Sequence, residues 1–554
     1  MVKLGSMAVK LGAGAAAILT AAKVRQRITL SQAKHRSLSG HVRMAKRAAG
    51  LIPAYAFGEE EFFTADGAPE DIALARKAAM DALSELYHTR FAKTATLTAD
   101  ASGSIADIDF TTTYRVPFQF SPLVKQYLPA TTFFEHAQGV QLRDLDGNSY
   151  YDLTGSYGVN LLGVDAYRQM MAEGGALVDS FGPTLAGLHP LTAENAERLK
   201  AHSGLDAVSF HMSGTEAVMQ AVRLARYHTG RPKLVRFAGA YHGWWGDVQP
   251  GVGNPVPADR TYTLADMSEK TLKVLRTRKD IACVLVNPLQ SMHPNKNAPG
   301  DSTLVNKRGH TGVDRASYSA WLGKLQAVCR EAGIVLIMDE VFTGFRLARG
   351  GACEYFRVEP DLVTYGKTLG GGYPVGVLCG RADLMKRYNP EKPADICFAR
   401  GTFNSHPYVI GAMNAFLRHI ESDEGAALYD GLDARWNARA ESLNAKIAAE
   451  GHPVEIGNLS TIFTVRYTNA SRYHWMLQFY LKKHGLALSW VGTGRFIFSL
   501  AYTDADFAEV ESRFLTACRD MRDGGWWWTG GDDAAHGKAI RKRLTREMLK
   551  HTFG

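Results

Sequence analysis

Acidic residues are missing from the first 58 positions, and Glu59 is the first. Residues 1–50 hold ten Lys and Arg, at 3, 10, 23, 25, 27, 34, 36, 43, 46 and 47. Subtracting those ten from the formal net charge of +9 leaves −1 for the rest of the chain. The basicity belongs to an arm, which argues against nucleic-acid binding by the body. Cysteine pairs are missing too. The six cysteines, at 283, 329, 353, 379, 397 and 518, form no CxxC motif. Neither a metal site nor a disulfide framework is expected, and a reducing cytoplasm fits. Long apolar runs are absent as well. Leu11 to Ala22 spans twelve residues, short of the roughly 20 that cross a bilayer. Lys23, Arg25 and Arg27 follow it where a signal-peptide cleavage site would stand. There is no internal repeat.

What is present is 554 residues, enough for roughly three to four average domains or one large enzyme with extensions. The expected organisation begins with a basic, helical arm at 1–50. A helical extension and linker follow at 51–110. Within it, Ile72, Leu74, Ala78, Met80, Leu83 and Leu86 keep helical spacing, and Thr94 to Gly103 reads as a Ser/Thr/Ala-rich linker. Residues 111–165 form the first part of a small domain. They include a hairpin around Asp146-Gly147-Asn148. A large domain spans 166–405, the rest of the small domain 406–520, and a Trp-rich, basic tail 521–554. In the large domain apolar strands alternate with helices: Ala207 to His211, Lys233 to Phe237, Ile281 to Val286, Val335 to Met338 and Leu362 to Thr364. That alternation predicts an α/β fold with a mainly parallel sheet and a smaller α/β unit beside it.

The chemistry centres on Lys367. It ends an apolar run and is followed by Gly370-Gly371-Gly372. Glycines let a bulky ligand approach the backbone closely. A lysine in that place can lose its proton and attack a carbonyl. Asp339 closes another apolar strand, with Glu340 behind it. A Schiff-base lysine and an acid that keeps a pyridine nitrogen protonated are what pyridoxal 5'-phosphate requires. Either residue alone would pass for a surface loop or a helix cap. Further segments support the pair. Ser213-Gly214-Thr215 follows a strand and opens a helix, where backbone N–H groups suit a phosphate. Tyr241, in Ala240-Tyr241-His242-Gly243, is a candidate to stack on the ring. Thr402, in Gly401-Thr402, offers a hydroxyl to an anion. Ser156 and Tyr157 stand in a small and aromatic loop suited to a substrate wall.

With these motifs in this order, the chain resembles the class III aminotransferases of PLP fold type I, over about residues 111–520. It is most similar to the glutamate-1-semialdehyde aminomutase branch and the aminotransferase modules of polyketide and lipopeptide synthases. The resemblance implies a large domain with a mainly parallel sheet, a smaller α/β domain and an N-terminal helical extension. It implies catalysis by Lys367 and Asp339. Cofactor contacts are implied for Ser213, Gly214, Thr215, Tyr241, His242, Val341 and Thr402, and substrate contacts for Ser156, Tyr157 and Glu340. Thr402 is expected to reach the neighbouring site of a homodimer. The family usually has Glu where Asn287 stands, and Gln290 to Asp314 is polar and expanded. The expected activity is amino transfer between a donor and a small or carrier-bound carbonyl substrate. The alternatives are a 2,1-aminomutase and a non-catalytic scaffold. The arm is expected to meet an acidic carrier protein or an anionic membrane, making the protein cytoplasmic with peripheral attachment.

Overall fold

The computed structural model describes residues 20–249, 251–257, 259–289, 314–489 and 495–553. The start of the basic arm and nearly all of the expanded stretch at 290–314 lie outside the described residues. Seven strands form the main sheet. Across it they run Ala207–His211, Gly376–Gly380, Leu362–Gly366, Val335–Asp339, Ile281–Val286, Lys233–Phe237 and Thr261–Leu264. Every pairing is parallel except the two made by Gly376–Gly380. The three central strands are buried along their whole length. That is why they read as unbroken apolar text: helices cover both faces. Alternate residues take opposite sides. Leu285, Ile337, Leu362 and Leu378 pack with the helix Gly214–Thr229. Val286, Leu336, Met338 and Val363 pack on the other side, with the helix Arg315–Ala332.

A second core gathers around the antiparallel strands Val454–Leu459, Ile462–Tyr467 and Arg495–Ile497. The hairpin Gln141–Asp144 and Ser149–Asp152 joins the same core, as do the N-terminal extension and the C-terminal tail. Tyr87 and Phe91 from the extension and Trp526 from the tail are fully buried there. Arg76 ties extension to tail. It pairs with buried Asp66 at 2.7 Å and donates to the carbonyl of Gly525 at 2.9 Å.

The expected linker at Thr94 to Gly103 is instead the helix Ala92–Ser102. Its N-terminal N–H groups are satisfied from a distance. The Asp146 carboxylate accepts from Lys93 N at 2.8 Å, Thr94 N at 2.9 Å and Thr94 Oγ1 at 2.6 Å. Helices also continue to Tyr127, later than the expected change near 111. Of the arm, residues 20–33 and Val42–Ala49 are helical. The arm meets the sheet edge: Lys34 bridges Leu264, and Ala265 N donates to Ala33 O at 2.9 Å. Among the described residues no helix is long and apolar enough to cross a membrane.

Candidate active site

Parallel strands place their C-terminal ends along one edge, where open α/β sheets bind ligands. Lys367 directly follows the strand Leu362–Gly366 and has a left-handed backbone, φ 49°. Asp339 ends the neighbouring strand, in register with Thr364. Thr364 Oγ1 and Val341 N each donate to Asp339 Oδ1 at 3.2 Å. His242 Nδ1 lies 2.7 Å from Asp339 Oδ2, and both side chains are buried. These bonds fix the direction of the Asp339 side chain. Burial lowers the proton affinity of the Lys367 amine. The Asp339 charge opposes that fall and the Arg346 charge adds to it. The ammonium form is thus disfavoured relative to a solvated lysine.

Ser213 caps the helix Gly214–Thr229, its Oγ accepting from Glu216 N at 3.3 Å. Close approach requires the glycines here. A Cβ on Gly214 would lie 2.5 Å from Val341 Cγ1, and one on Gly243 2.5 Å from Thr215 Oγ1. Strand-end acid, lysine and helix start share one cavity of about 840 Å³.

Most of the expected site residues meet in that cavity. Lys367, Asp339, Ser213, Gly214, Thr215, Tyr241, His242 and Val341 all line it, and Tyr157 stands half-exposed on its wall. Three do not. Glu340 is a correction: its carboxylate is buried and turned away from the cavity. It accepts from Ala352 N at 2.6 Å and Cys353 N at 2.7 Å, at the start of the helix Gly351–Phe356. Adjacent residues at a strand end point to opposite sides, so Asp339 and Glu340 cannot both face the ligand. Ser156 and Thr402 are exposed and line no part of this cavity. Residues not singled out by sequence also contribute, among them Thr154, Phe342, Tyr373, Ser489 and Arg495. Phe342 was within reach of a motif reading, three positions after Asp339. Arg495 comes from the small unit, and only tertiary structure brings it here.

An α/β body with a strand-end lysine, a facing strand-end carboxylate and a helix-start anion cradle defines an enzyme that handles carbonyl and amine groups through a bound phosphate-bearing cofactor. The class-III aminotransferase profile matches residues 124–246 and 305–517. A glutamate-1-semialdehyde 2,1-aminomutase from Nitratidesulfovibrio vulgaris is 34% identical over 412 residues, covering 68% of this chain and 89% of its own. A transaminase structure with PLP bound superposes with a TM-score of 0.59 at 26% identity, over 72% of this chain and 92% of its own. A glutamate-1-semialdehyde aminomutase from Pseudomonas aeruginosa has the same fold, with a TM-score of 0.64 at 17% identity, over 81% and 99%. The chain belongs to the class-III aminotransferase family. It is an enzyme of the transaminase–aminomutase kind, and its cofactor is pyridoxal 5'-phosphate. The residues present fit that group. Asp339 is a buried carboxyl group that would accept from a protonated ring nitrogen, and glycines leave room where the phosphate would meet the helix start.

Proposed function

We propose that the enzyme transfers an amino group between two separate molecules, an amino donor and a carbonyl acceptor, rather than moving it within one. Bound pyridoxal phosphate would supply the electron sink, while Lys367 provides the amine and carries the proton. Asp339 would hold the ring nitrogen protonated, with Tyr241 and Val341 on the two ring faces. Ser213, Gly214 and Thr215 would hold the phosphate.

The observation that carries this reading is Asn287. It stands on the cavity wall where a carboxylate is usual in the family, and its side chain is spent on backbone. Nδ2 donates to Tyr241 O at 2.9 Å, and Oδ1 accepts from Leu289 N at 3.1 Å. Asp339 is then the one carboxylate among the described lining residues. Exposed aromatics stand at the mouth: Trp244 is 75% exposed, Tyr241 56% and Tyr157 50%. Such a mouth suits a larger carbonyl substrate than a small free semialdehyde. The 2,1-aminomutase reading rests on the name of the 34%-identical relative.

The homodimer belongs to the same proposal. Thr402 is exposed and outside this chain's own cavity, as a hydroxyl serving a second copy would be. The arm supports docking to an acidic carrier protein or an anionic membrane. Lys23, Arg25, Arg27, Arg43 and Arg47 are exposed, while Lys46 is used internally on Asn254 O and Val256 O.

The test is a screen of single amino acids and carbonyl acceptors, free and carrier-bound, with and without residues 1–50, across a salt series. Release of a free keto product from the donor is expected. Deletion or salt should slow carrier-bound substrates selectively. Isomerisation of free glutamate-1-semialdehyde without released product would favour the aminomutase instead. Equal rates with and without the arm would remove the docking role.

A further inference from the structure

Near the half-buried Lys367 lies a buried cation, Arg346, 1% exposed. Burying a guanidinium costs it its hydration, which a carboxylate usually offsets. Among the described residues no carboxylate pairs with it. Its hydrogen bonds go to neutral oxygens from two parts of the molecule. Nη1 donates to Phe498 O at 2.8 Å and Thr461 Oγ1 at 3.1 Å, both in the small unit. Nη2 donates to Gly158 O and Asn160 O, each at 3.2 Å.

The loop held by that second pair is strained. Gly155, Ser156, Tyr157 and Gly158 are left-handed in succession, with φ of 49°, 46°, 57° and 98°. A non-glycine residue in that region is disfavoured and persists only where its surroundings over-determine it. The loop also presses on the reactive lysine. A Cβ on Gly158 would lie 2.7 Å from the Phe342 ring and 3.2 Å from Lys367 Cδ. The same ring has Lys367 Nζ 5.3 Å and Arg346 Cζ 5.6 Å from its centroid.

We propose that Arg346 is a positioning residue for Lys367: it clamps the loop 155–160 down on the lysine side chain, joins that loop to the small unit, and keeps a buried positive charge on the same aromatic ring as the amine. The inference rests on Lys367 being the reactive amine. Among the described residues the charged groups that act on Lys367 are Asp339, which favours the ammonium, and Arg346, which disfavours it. Around Arg346 the titratable neighbours are Lys367 and the phenols of Tyr167 and Tyr429. Removing the guanidinium therefore makes the amine harder to deprotonate, and removing its fork frees the loop.

The variants are Arg346→Lys, which keeps charge but not the fork, and Arg346→Gln and Arg346→Met, which lose the charge. Two pH titrations are read on full-length protein of verified fold. One follows the visible absorbance band after loading with pyridoxal phosphate. The other follows reductive methylation of Lys367 by formaldehyde and cyanoborohydride in cofactor-stripped protein, quantified on the Lys367 peptide. Both midpoints should move upward in the Gln and Met variants and stay nearer the parent value in the Lys variant. All three should lose kcat/KM, by about 10²-fold if the lysine is misplaced by an ångström. Unmoved midpoints in folded Gln protein would overturn the proposal and leave Arg346 a domain staple. If the Met variant does not fold, the Lys and Gln pair decides alone. A parent protein with no absorbance band would instead count against the cofactor reading, and the methylation titration would still read Arg346.

Discussion

Two adjacent carboxylates divide the work at the head of the site. Asp339 faces the cavity, and Glu340 binds backbone N–H groups on the other side of the strand end. Burial pushes the Glu340 carboxyl up to about 7, only partly opposed by its hydrogen bonds, from an ordinary value of 4.5. Between those values the folded chain holds a proton that the unfolded chain has released. The stability that this group contributes therefore falls as pH rises through that window. Glu340→Gln should cost about 1–3 kcal/mol near pH 5, through imperfectly met N–H groups. The gap should narrow towards pH 8, with the substrate preference unchanged. Melting temperatures at the two pH values and a substrate panel check this; an altered preference would return Glu340 to the site. The residue scale also shows where sequence is strongest. Lys367 and Asp339 announce themselves through apolar strands and glycines, because backbone constraint is written in composition. Which of two neighbouring acids faces a ligand depends on the strand's orientation in the fold.

At the element scale, the five strands expected from apolar runs are all present, two of them extending a residue or two beyond the expected bounds. Burial on both faces leaves a continuous signal. The strand Gly376–Gly380 has no such signal, since glycines bound it and it runs against its neighbours. The helix Ala92–Ser102 reads as a linker because its Ser/Thr-rich text lacks an apolar stripe, and its cap comes from the hairpin turn more than forty positions away. Asp146→Ala should therefore melt this helix's first turn and lower stability by about 1 kcal/mol. Hydrogen exchange at Lys93 and Thr94 would report it, and unchanged protection there would contradict the capping role.

At the scale of the whole molecule, the extension and tail are built into the small unit's core, with Arg76 and Trp526 as the joints. Charge counting separated the arm from the body but could not show that residues after 50 share a core with residues near 525. That contact has no local signature. The proposed chemistry, by contrast, rests on one residue, Lys367. The most direct measurement is borohydride reduction of the purified full-length protein in its cofactor-bound state, followed by peptide mapping. A visible absorbance band lost on reduction, with the pyridoxyl group on Lys367 and none on Lys367→Ala, is the predicted result. A pyridoxyl group on any other lysine, or no band in protein supplied with pyridoxal phosphate, would contradict it.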